Sequence, residues 1–259
     1  IVRGLVDWDR DGIGQEGAGI VTAVGQGVDD LAPGDAVMGA VFGHGLGSLA
    51  NTPAFHLIRK PDHLSFTEAA GTTIVHLAAL HALKRLANLK AGETVLIHTA
   101  TGGFGLAAIQ VAQLQRARIA ATAGNEEKRD YLRGLGIAHV FDSRSSTFAD
   151  EILQLTSGRG ADVILNTLPP ELNRHNFRAL APATGRLIDL VSNQNTVEFA
   201  DLSLSKGVSY HVFDLIDLTD AAPDYALGLL EEFRDLLESR KLSPVAYHSV
   251  PSDRIGEAF

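Results

Sequence analysis

From residue 93 onwards the chain alternates between short apolar segments and segments with helical periodicity. Because crossover connections place such strands side by side, this alternation predicts an α/β fold, a doubly wound Rossmann-type parallel sheet with helices on both faces. The predicted strands lie near 93–98, 118–122, 138–141, 161–166, 185–191 and 207–213. The predicted helices between them lie at 105–116, 126–135, 147–157 and 171–181.

The stretch before this alternation, residues 16–60, is instead rich in short apolar segments punctuated by glycine. Two strands are predicted at 18–25 and 35–43, and the Pro-Gly pair within 31–35 predicts the turn that joins them. This part of the chain is therefore expected to be β-rich.

Two further helices frame the alternating region. Ser65 or Thr67 followed by Glu68 has the pattern of a capping box, and the long apolar run after it predicts a helix. Residues 221–240 have the periodicity of an amphipathic helix. From Pro244 the pattern is again typical of β-structure, so the chain is expected to return to the β-rich part.

The composition excludes several classes of protein. The chain of 259 residues has a formal charge of −9 and no basic cluster, which disfavours a nucleic-acid partner. Its apolar runs are too short for a membrane span, and no signal peptide opens it. The lack of cysteine excludes disulfides and thiolate metal sites and is compatible with a cytoplasmic location. Because it begins with Ile1 and stops in a helix-like segment, we expect a fragment of a longer protein.

The turn after the first predicted strand of the sheet, Thr99-x-x-Gly102-x-x-Gly105, is the strongest candidate for a binding site. A strand that runs through glycine into a helix presents backbone N–H groups and the helix dipole to an anion. Gly102 would let a pyrophosphate approach, Gly105 would let helix and strand pack closely, and Gly103 and Phe104 lie between them. Thr99 replaces the usual first glycine. A turn without a ligand is the alternative, but the βαβ context favours a dinucleotide.

The second predicted strand ends without a carboxylate, at Thr122-Ala123-Gly124. An NAD site would place an acidic residue there to bind the ribose hydroxyls. Lys128 and Arg144 follow instead, and cations near an acid-free tip favour a 2′-phosphate and hence NADPH. Solvated surface cations are the alternative interpretation of these two residues.

Longer matches to a known family surround these motifs, among them the segment "AGETVLIHTATGGFGLAAIQVAQ" at 91–113. The segments 14–39, 61–83, 142–168 and 207–215 match the same family, so the resemblance covers nearly the whole chain. The chain resembles the enoyl reductase domain of polyketide synthases and animal-type fatty acid synthases. These domains are zinc-independent members of the medium-chain dehydrogenase/reductase superfamily.

The resemblance implies a β-rich, GroES-like substrate domain into which the Rossmann domain is inserted. The domains would be residues 1–65, residues 66–242 with the linking helix, and residues 243–259 as the return to the substrate domain. NADPH would supply a hydride to Cβ of an α,β-unsaturated acyl thioester while a proton is added at Cα. The acyl chain would arrive on the phosphopantetheine arm of an acyl carrier protein. Neighbouring synthase domains and a homodimer formed through the parent synthase are further expected partners.

The resemblance also implies roles for individual residues. Thr122, Lys128 and Arg144 would surround the 2′-phosphate of NADPH, and Asn166 and Leu168 would lie beside its nicotinamide half. No metal is expected, because the chain lacks cysteine and its ten histidines show no paired ligand spacing.

Departures from the family pattern affect the expected proton donor. By alignment Ser192 occupies the position where many members have lysine, His76 stands where an aromatic residue is common, and Asp214 is retained. We expect protonation at Cα by His76, or by water held near Ser192 and Asp214. A core histidine is the alternative interpretation of His76. Pro169 and Pro170 stiffen a usually flexible turn, unless they only begin the next helix.

Two other functions fit the same sequence. The first is a free-standing, zinc-independent quinone or enone reductase of the same superfamily. The second is a degenerate scaffold domain of a megasynthase, which would bind cofactor without turnover. The retained cofactor residues argue against the scaffold, whereas the loss of the family's lysine at Ser192 argues for it.

Overall fold

The computed structural model describes residues 14–42, 45–190 and 203–258. By contact density the chain divides into two compact units. The first unit combines the residues up to Leu77 with those from Leu218 onwards, and the second unit is Ala78–Asp217. Within the described ranges, no helix has the length and apolar character needed to cross a membrane.

The first unit contains a three-stranded antiparallel sheet of β1 (Glu16–Ile20), β2 (Ala36–Ala40) and β3 (Leu57–Arg59), in that order. Strand β1 ends at Ile20, earlier than the predicted 18–25, because the Val21 carbonyl accepts from Gly34 of the turn and the register with β2 is lost there. Strand β3 has only three residues, which is too short for a period-two pattern to reveal, and it was not predicted from the sequence.

Helices α1 (Phe66–Ala70) and α2 (Thr73–Leu80) follow this sheet. Ser65, not Thr67, is the N-cap of α1, and its hydroxyl accepts from the Glu68 N–H at 3.2 Å. The Glu68 carboxylate in turn accepts from the Ser65 N–H at 2.8 Å, which completes the capping box. A π-helical segment, His81–Leu86, continues α2.

The later part of the first unit is helical. Helix α8 (Pro223–Glu238) buries one apolar face and packs against β3 and the short 3₁₀ turn before it. The residues from 244 to 251 contain no strand, and a 3₁₀ segment follows at Ser252–Ala258. The expected return to β-structure after Pro244 is therefore wrong for the part of the chain that the structure describes. Among those residues no neighbouring strand offers this segment a ladder of hydrogen bonds.

The second unit is a six-stranded, fully parallel sheet in the order β6-β5-β4-β7-β8-β9, which confirms the predicted doubly wound fold. The strands are β4 (Thr94–Ile97), β5 (Arg118–Ala123), β6 (His139–Asp142), β7 (Val163–Asn166), β8 (Arg186–Leu190) and β9 (Ser209–Phe213). The helices on the sheet are α3 (Gly103–Leu114), α4 (Glu126–Gly134), α5 (Phe148–Leu155) and α6 (Pro170–Ala179). Helix α7 (Leu215–Ala221) follows β9.

The strand order reverses between β4 and β7, because β5 and β6 extend to one side and β8 and β9 to the other. Both central strands are buried on every residue, as expected for strands covered by helices on both faces. Ligands of such sheets bind outside the carboxyl ends of the strands at this switch point. The candidate binding site is therefore expected where β4 and β7 end.

Candidate functional site

The turn after β4 is shaped by a very close contact between its own backbone and the start of α3. Thr99 has φ of 45°, in the left-handed region, and Gly102 is the N-cap of α3. A Cβ placed on Gly105 would lie 2.5 Å from the Cα of Ala100, so only glycine fits this position. Gly105 therefore lets α3 begin directly against the backbone of the turn, and its predicted role in cofactor binding stays a prediction.

The same turn opens α3 towards solvent. Gly102 and Gly103 are exposed, and Phe104 is half-buried beside them. No side chain of the described residues caps this helix. The first backbone N–H groups of a helix carry partial positive charge. A turn of this geometry can hold an anionic group such as a pyrophosphate.

The tip of β5 is packed against Arg144. A Cβ on Gly124 would lie 3.2 Å from Nε of Arg144, so the small residue lets the guanidinium lie over the tip. The backbone N–H of Arg144 donates to the Asp142 carboxylate at 2.8 Å. Asn125 caps α4, because its side chain accepts from the Lys128 N–H at 2.9 Å. The structure thus brings Gly124, Arg144 and the start of α4 together.

Arg129 also lies at this tip, and the sequence reasoning missed it. Its guanidinium donates to the carbonyl of Ala123 at 3.2 Å and to Glu126 at 2.8 Å. It also lies 3.6 Å from the Asp142 carboxylate. Because the carboxylates of Glu126 and Asp142 already face its guanidinium, Arg129 stabilises the tip of β5. Its position in the first turn of an acid-rich helix was the only signal in the sequence.

Thr122 lies beneath the turn, and this placement differs from the expected contact with a phosphate. Its side chain is fully buried. Its hydroxyl lies 3.1 Å from Nδ1 of His98 and 3.2 Å from the N–H of Thr99. Both hydrogen-bonding functions of the hydroxyl are therefore used inside the protein. Thr122 supports the Thr99 turn from below.

The turn after β7 holds the other predicted cofactor residues. Asn166 and Leu168 are buried, and Oδ1 of Asn166 accepts from the Leu168 N–H at 3.1 Å. Between them, Thr167 donates to the carbonyl of His98 at 3.3 Å, which ties this turn to the end of β4. Pro169 and Pro170 are the N-cap and first residue of α6, as the simpler interpretation of the two prolines predicts.

The three residues proposed for protonation have very different placements. His76 is fully buried, its Nδ1 lies 2.7 Å from the carbonyl of Thr72, and its ring stacks on Phe233 with centroids 5.4 Å apart. Asp214 is half-buried and its carboxylate accepts from the Ile216 N–H at 2.8 Å. Ser192 lies outside the described residues.

A half-buried acid with a shifted pKa, Glu16, was not found by the sequence reasoning. The Glu16 carboxylate, in β1, accepts from the Ile74 N–H in the first turn of α2 at 2.9 Å. Burial raises the pKa of Glu16 to about 7, against the opposing effect of the backbone N–H groups of Ile74 and Thr73. Nothing in the local sequence indicates this contact, because it joins residues 58 positions apart.

His98 is the other strongly shifted group. It is fully buried, and desolvation lowers its pKa to about 4 although its bond to Asn176 acts in the opposite direction. The ring is therefore neutral near pH 7. The described residues contain no cluster of three or more histidine or acidic side chains able to hold a metal ion.

Known proteins are similar to this chain in sequence and in fold. A family model described as "Zinc-binding dehydrogenase" matches residues 103–210. A phenolphthiocerol/phthiocerol polyketide synthase of Mycobacterium tuberculosis is 43% identical over 211 residues, which is 78% of this chain and 9% of the synthase polypeptide. The curated relatives compared are all far longer, and this chain spans 9% to 14% of their length.

Two solved structures are similar over most of the sequence. The CurK enoyl reductase is 34% identical, with a TM-score of 0.86 over 96% of this chain and 74% of that chain. The nucleotide-binding subdomain of the enoylreductase domain of PpsC from Mycobacterium tuberculosis is 40% identical, with a TM-score of 0.59. That comparison covers 66% of this chain and 96% of the subdomain.

Proposed function

This chain belongs to the enoyl reductase domains of polyketide synthases, within the medium-chain dehydrogenase/reductase superfamily, and we propose that it reduces the α,β double bond of an enoyl thioester with NADPH. The observation that carries the choice of cofactor is the packing of Arg144 over Gly124 at the acid-free tip of β5. When bound, NADPH supplies the hydride that the reduction needs.

The cofactor residues are proposed from the two turns at the switch point. Gly103 and Phe104 would hold the pyrophosphate with their N–H groups at the start of α3, and Gly102, whose own N–H donates to the Thr99 carbonyl at 3.0 Å, would leave room for it to approach. Arg144 and Lys128 would bind the 2′-phosphate by charge-assisted hydrogen bonds. Thr99 and Thr122 would position the first turn, and Asn166 and Leu168 would line the nicotinamide side.

The substrate is proposed to be an acyl chain on an acyl carrier protein, delivered within a polyketide synthase. Its support is the family membership, since the relatives are parts of large synthases. The first unit is the proposed substrate domain, and the predicted boundaries at residues 65 and 243, the homodimer and the cytoplasmic location stay predictions. A free-standing quinone or enone reductase and a scaffold domain are the competing functions.

Turnover of a carrier-bound crotonyl thioester with NADPH is expected to exceed turnover of a free quinone, and exhaustive chelation is expected to leave the rate unchanged. The described residues contain no cluster of histidine or acidic side chains able to hold a metal ion, and the proposed reaction uses NADPH without a metal. Absorbance at the nicotinamide band would follow both reactions. Preference for the quinone would favour the free-standing reductase, cofactor binding without turnover would favour the scaffold, and zinc-restored activity would contradict the metal-free proposal.

Arg144→Ala is expected to weaken NADPH binding about 10- to 100-fold and to leave NADH binding unchanged. Losing a charge-assisted contact to phosphate costs about 1.5–3 kcal/mol. Fluorescence titration of both cofactors would measure it. The matched control is Arg133→Ala on α4, whose guanidinium is already paired with Glu126 and Asp130 at 2.6 Å. Equal affinity of the wild type for the two cofactors would refute the preference.

We propose that water oriented by Asp214, rather than His76, supplies the proton at Cα, because His76 is buried against Thr72 and Phe233. The hydroxide left by that water would take a proton from bulk solvent. Asp214→Asn is expected to lower kcat about 10²-fold, since the amide oxygen still accepts from the Ile216 N–H but the NH₂ group cannot accept from a water and orient it. The exposed Asp217 supplies the control variant, Asp217→Asn.

The two proton routes differ in their pH dependence. His76→Ala is expected to lower stability and to leave the pH profile of turnover unchanged. A shifted profile in that variant would assign the proton to His76. Ser192→Ala is expected to have little effect, whereas Ser192→Lys is expected to raise the rate by restoring a cationic donor.

A further inference from the structure

A continuous series of hydrogen-bonded side chains crosses the sheet of the second unit beneath its carboxyl edge. His98, after β4, lies 3.1 Å from the Thr122 hydroxyl of β5 and 2.8 Å from Oδ1 of Asn176 in α6. Nδ2 of Asn176 donates to Asn166, at the end of β7, at 3.0 Å. Asn166 donates in turn to the Asp189 carboxylate of β8 at 3.2 Å.

The series extends to the last strand of the sheet. The Tyr210 hydroxyl of β9 donates to the other oxygen of Asp189 at 3.1 Å. Every member except Tyr210 is buried, so little water competes for these bonds. Five of the six strands thus contribute or adjoin a member, and we call the set Thr122, His98, Asn176, Asn166, Asp189 and Tyr210 the relay.

Two backbone N–H groups fix the donor-to-acceptor direction of the hydrogen bonds in the relay. The Leu168 N–H can only donate, so the Asn166 atom that receives it is the amide oxygen, and Asn176 must donate its NH₂ to that same oxygen. The other end of the Asn176 amide is then the oxygen that faces His98.

The same logic fixes the tautomer of His98. Nε2 must carry the proton that is donated to Asn176, so Nδ1 of the neutral ring accepts from the Thr122 hydroxyl. That hydroxyl accepts from the Thr99 N–H. Every bond from Thr99 to Asp189 therefore donates in the same direction, and reversing one bond would require reversing its neighbours.

We propose that the relay is a positioning device that couples the Thr99 turn to the Asn166–Leu168 turn, so that the two sides of the cofactor site keep one relative geometry. At one end of the relay the Thr122 hydroxyl accepts from the Thr99 N–H, and in its middle the Asn166 amide oxygen accepts from the Leu168 N–H. The inference about catalysis rests on the proposed function, since these turns are the proposed seats of the pyrophosphate and the nicotinamide. None of its side chains needs to touch the reacting atoms.

The coupling is tested first in the protein without cofactor, so that its outcome does not depend on the proposed function. Hydrogen exchange of the Thr99 and Leu168 amides is measured in wild type, Thr122→Val and Asn176→Leu. We expect each variant to speed exchange at both amides by about tenfold or more. The control Arg174→Ala, an exposed position on α6, is expected to change neither amide.

Valine is nearly isosteric with threonine, so Thr122→Val is expected to fold even if Asn176→Leu does not. Thr122→Ser retains a hydroxyl and is expected to restore protection at Leu168. Exchange at Leu168 that is unchanged in Thr122→Val would overturn the coupling, because a purely local role of Thr122 would affect only the Thr99 turn.

Catalytic readouts then test the consequence for the proposed site. In Thr122→Val we expect kcat to fall about tenfold, and Thr122→Ser, which keeps the hydroxyl, is expected to restore it. The Thr122→Val/Asn176→Leu double variant is expected to lose no more kcat than the worse single variant. Either substitution alone already interrupts the relay, so the second adds no further loss. Additive losses, or an unchanged kcat in Thr122→Val, would contradict the positioning role. Wild type without enoyl turnover would count against the proposed function alone, and the exchange experiment would still decide the coupling.

Discussion

Gly105→Ala is expected to destabilise the second unit by about 3 kcal/mol and to weaken NADPH binding by roughly 10²-fold. The added Cβ would lie 2.5 Å from the Cα and 2.7 Å from the carbonyl carbon of Ala100, so backbone must move. That movement separates α3 from the backbone of the turn and displaces the N–H groups proposed to hold the pyrophosphate. Urea unfolding and fluorescence titration would measure the two effects.

Gly134→Ala is the matched control, because a Cβ at the end of α4 meets nothing within 4 Å. Alanine is a better helix former than glycine by about 0.5–1 kcal/mol, so this variant is expected to be neutral or slightly more stable. If Gly105→Ala bound NADPH as tightly as Gly134→Ala does, the Thr99 turn would not be the pyrophosphate site.

Acidification is expected to act in opposite directions on two desolvated groups, one in each unit. Burial raises the pKa of Glu16 to about 7, so the stability from its neutral form is full below pH 4.5 and is lost as pH rises to 7. Burial lowers the pKa of His98 to about 4, so its contribution is full above pH 6.5 and is lost as pH falls towards 4. Each full shift corresponds to about 3 kcal/mol.

Two variants separate these contributions. Between pH 7.5 and pH 5, Glu16→Gln is expected to lose roughly 2–3 kcal/mol relative to wild type, because the amide accepts from Ile74 but gains nothing on acidification. Over the same range His98→Gln is expected to gain about 2 kcal/mol relative to wild type. Free energies of unfolding from urea titrations at several pH values would test both, and curves parallel to wild type would show that neither shift exists.

The architecture of the second unit was predictable because each element carries its own periodic signal. Strands such as Thr94–Ile97 and Val163–Asn166 are continuous apolar runs, and the helices between them have clear caps or amphipathic faces. Boundaries were correct to within about two residues for most elements. The three-residue strand Leu57–Arg59 was missed, because pairing with β2 rather than its own pattern makes it a strand.

The candidate site was predictable only where a local sequence motif or residue spacing indicates it. The Thr99–Gly105 turn and Arg144 could be found from motif and spacing. The buried position of Thr122 could not, since a threonine at a strand tip looks the same above or below the turn. The relay and the Glu16–Ile74 bond join residues 10 to 78 positions apart, and only the folded sheet brings them together.

The interrupted sequence of the first unit has a consequence for biosynthesis. The sheet of β1, β2 and β3 leaves the ribosome long before the residues from Leu218 that complete its unit, because Ala78–Asp217 must be translated between them. At about 5–20 residues per second the delay is on the order of ten to thirty seconds, during which strand edges stay open to chaperones or to other chains. The second unit is contiguous and has no such delay, and the related subdomain of PpsC was crystallised by itself. Synonymous codons that slow translation within Ala78–Asp217 should therefore lower the yield of folded protein more than the same codons placed after Leu218.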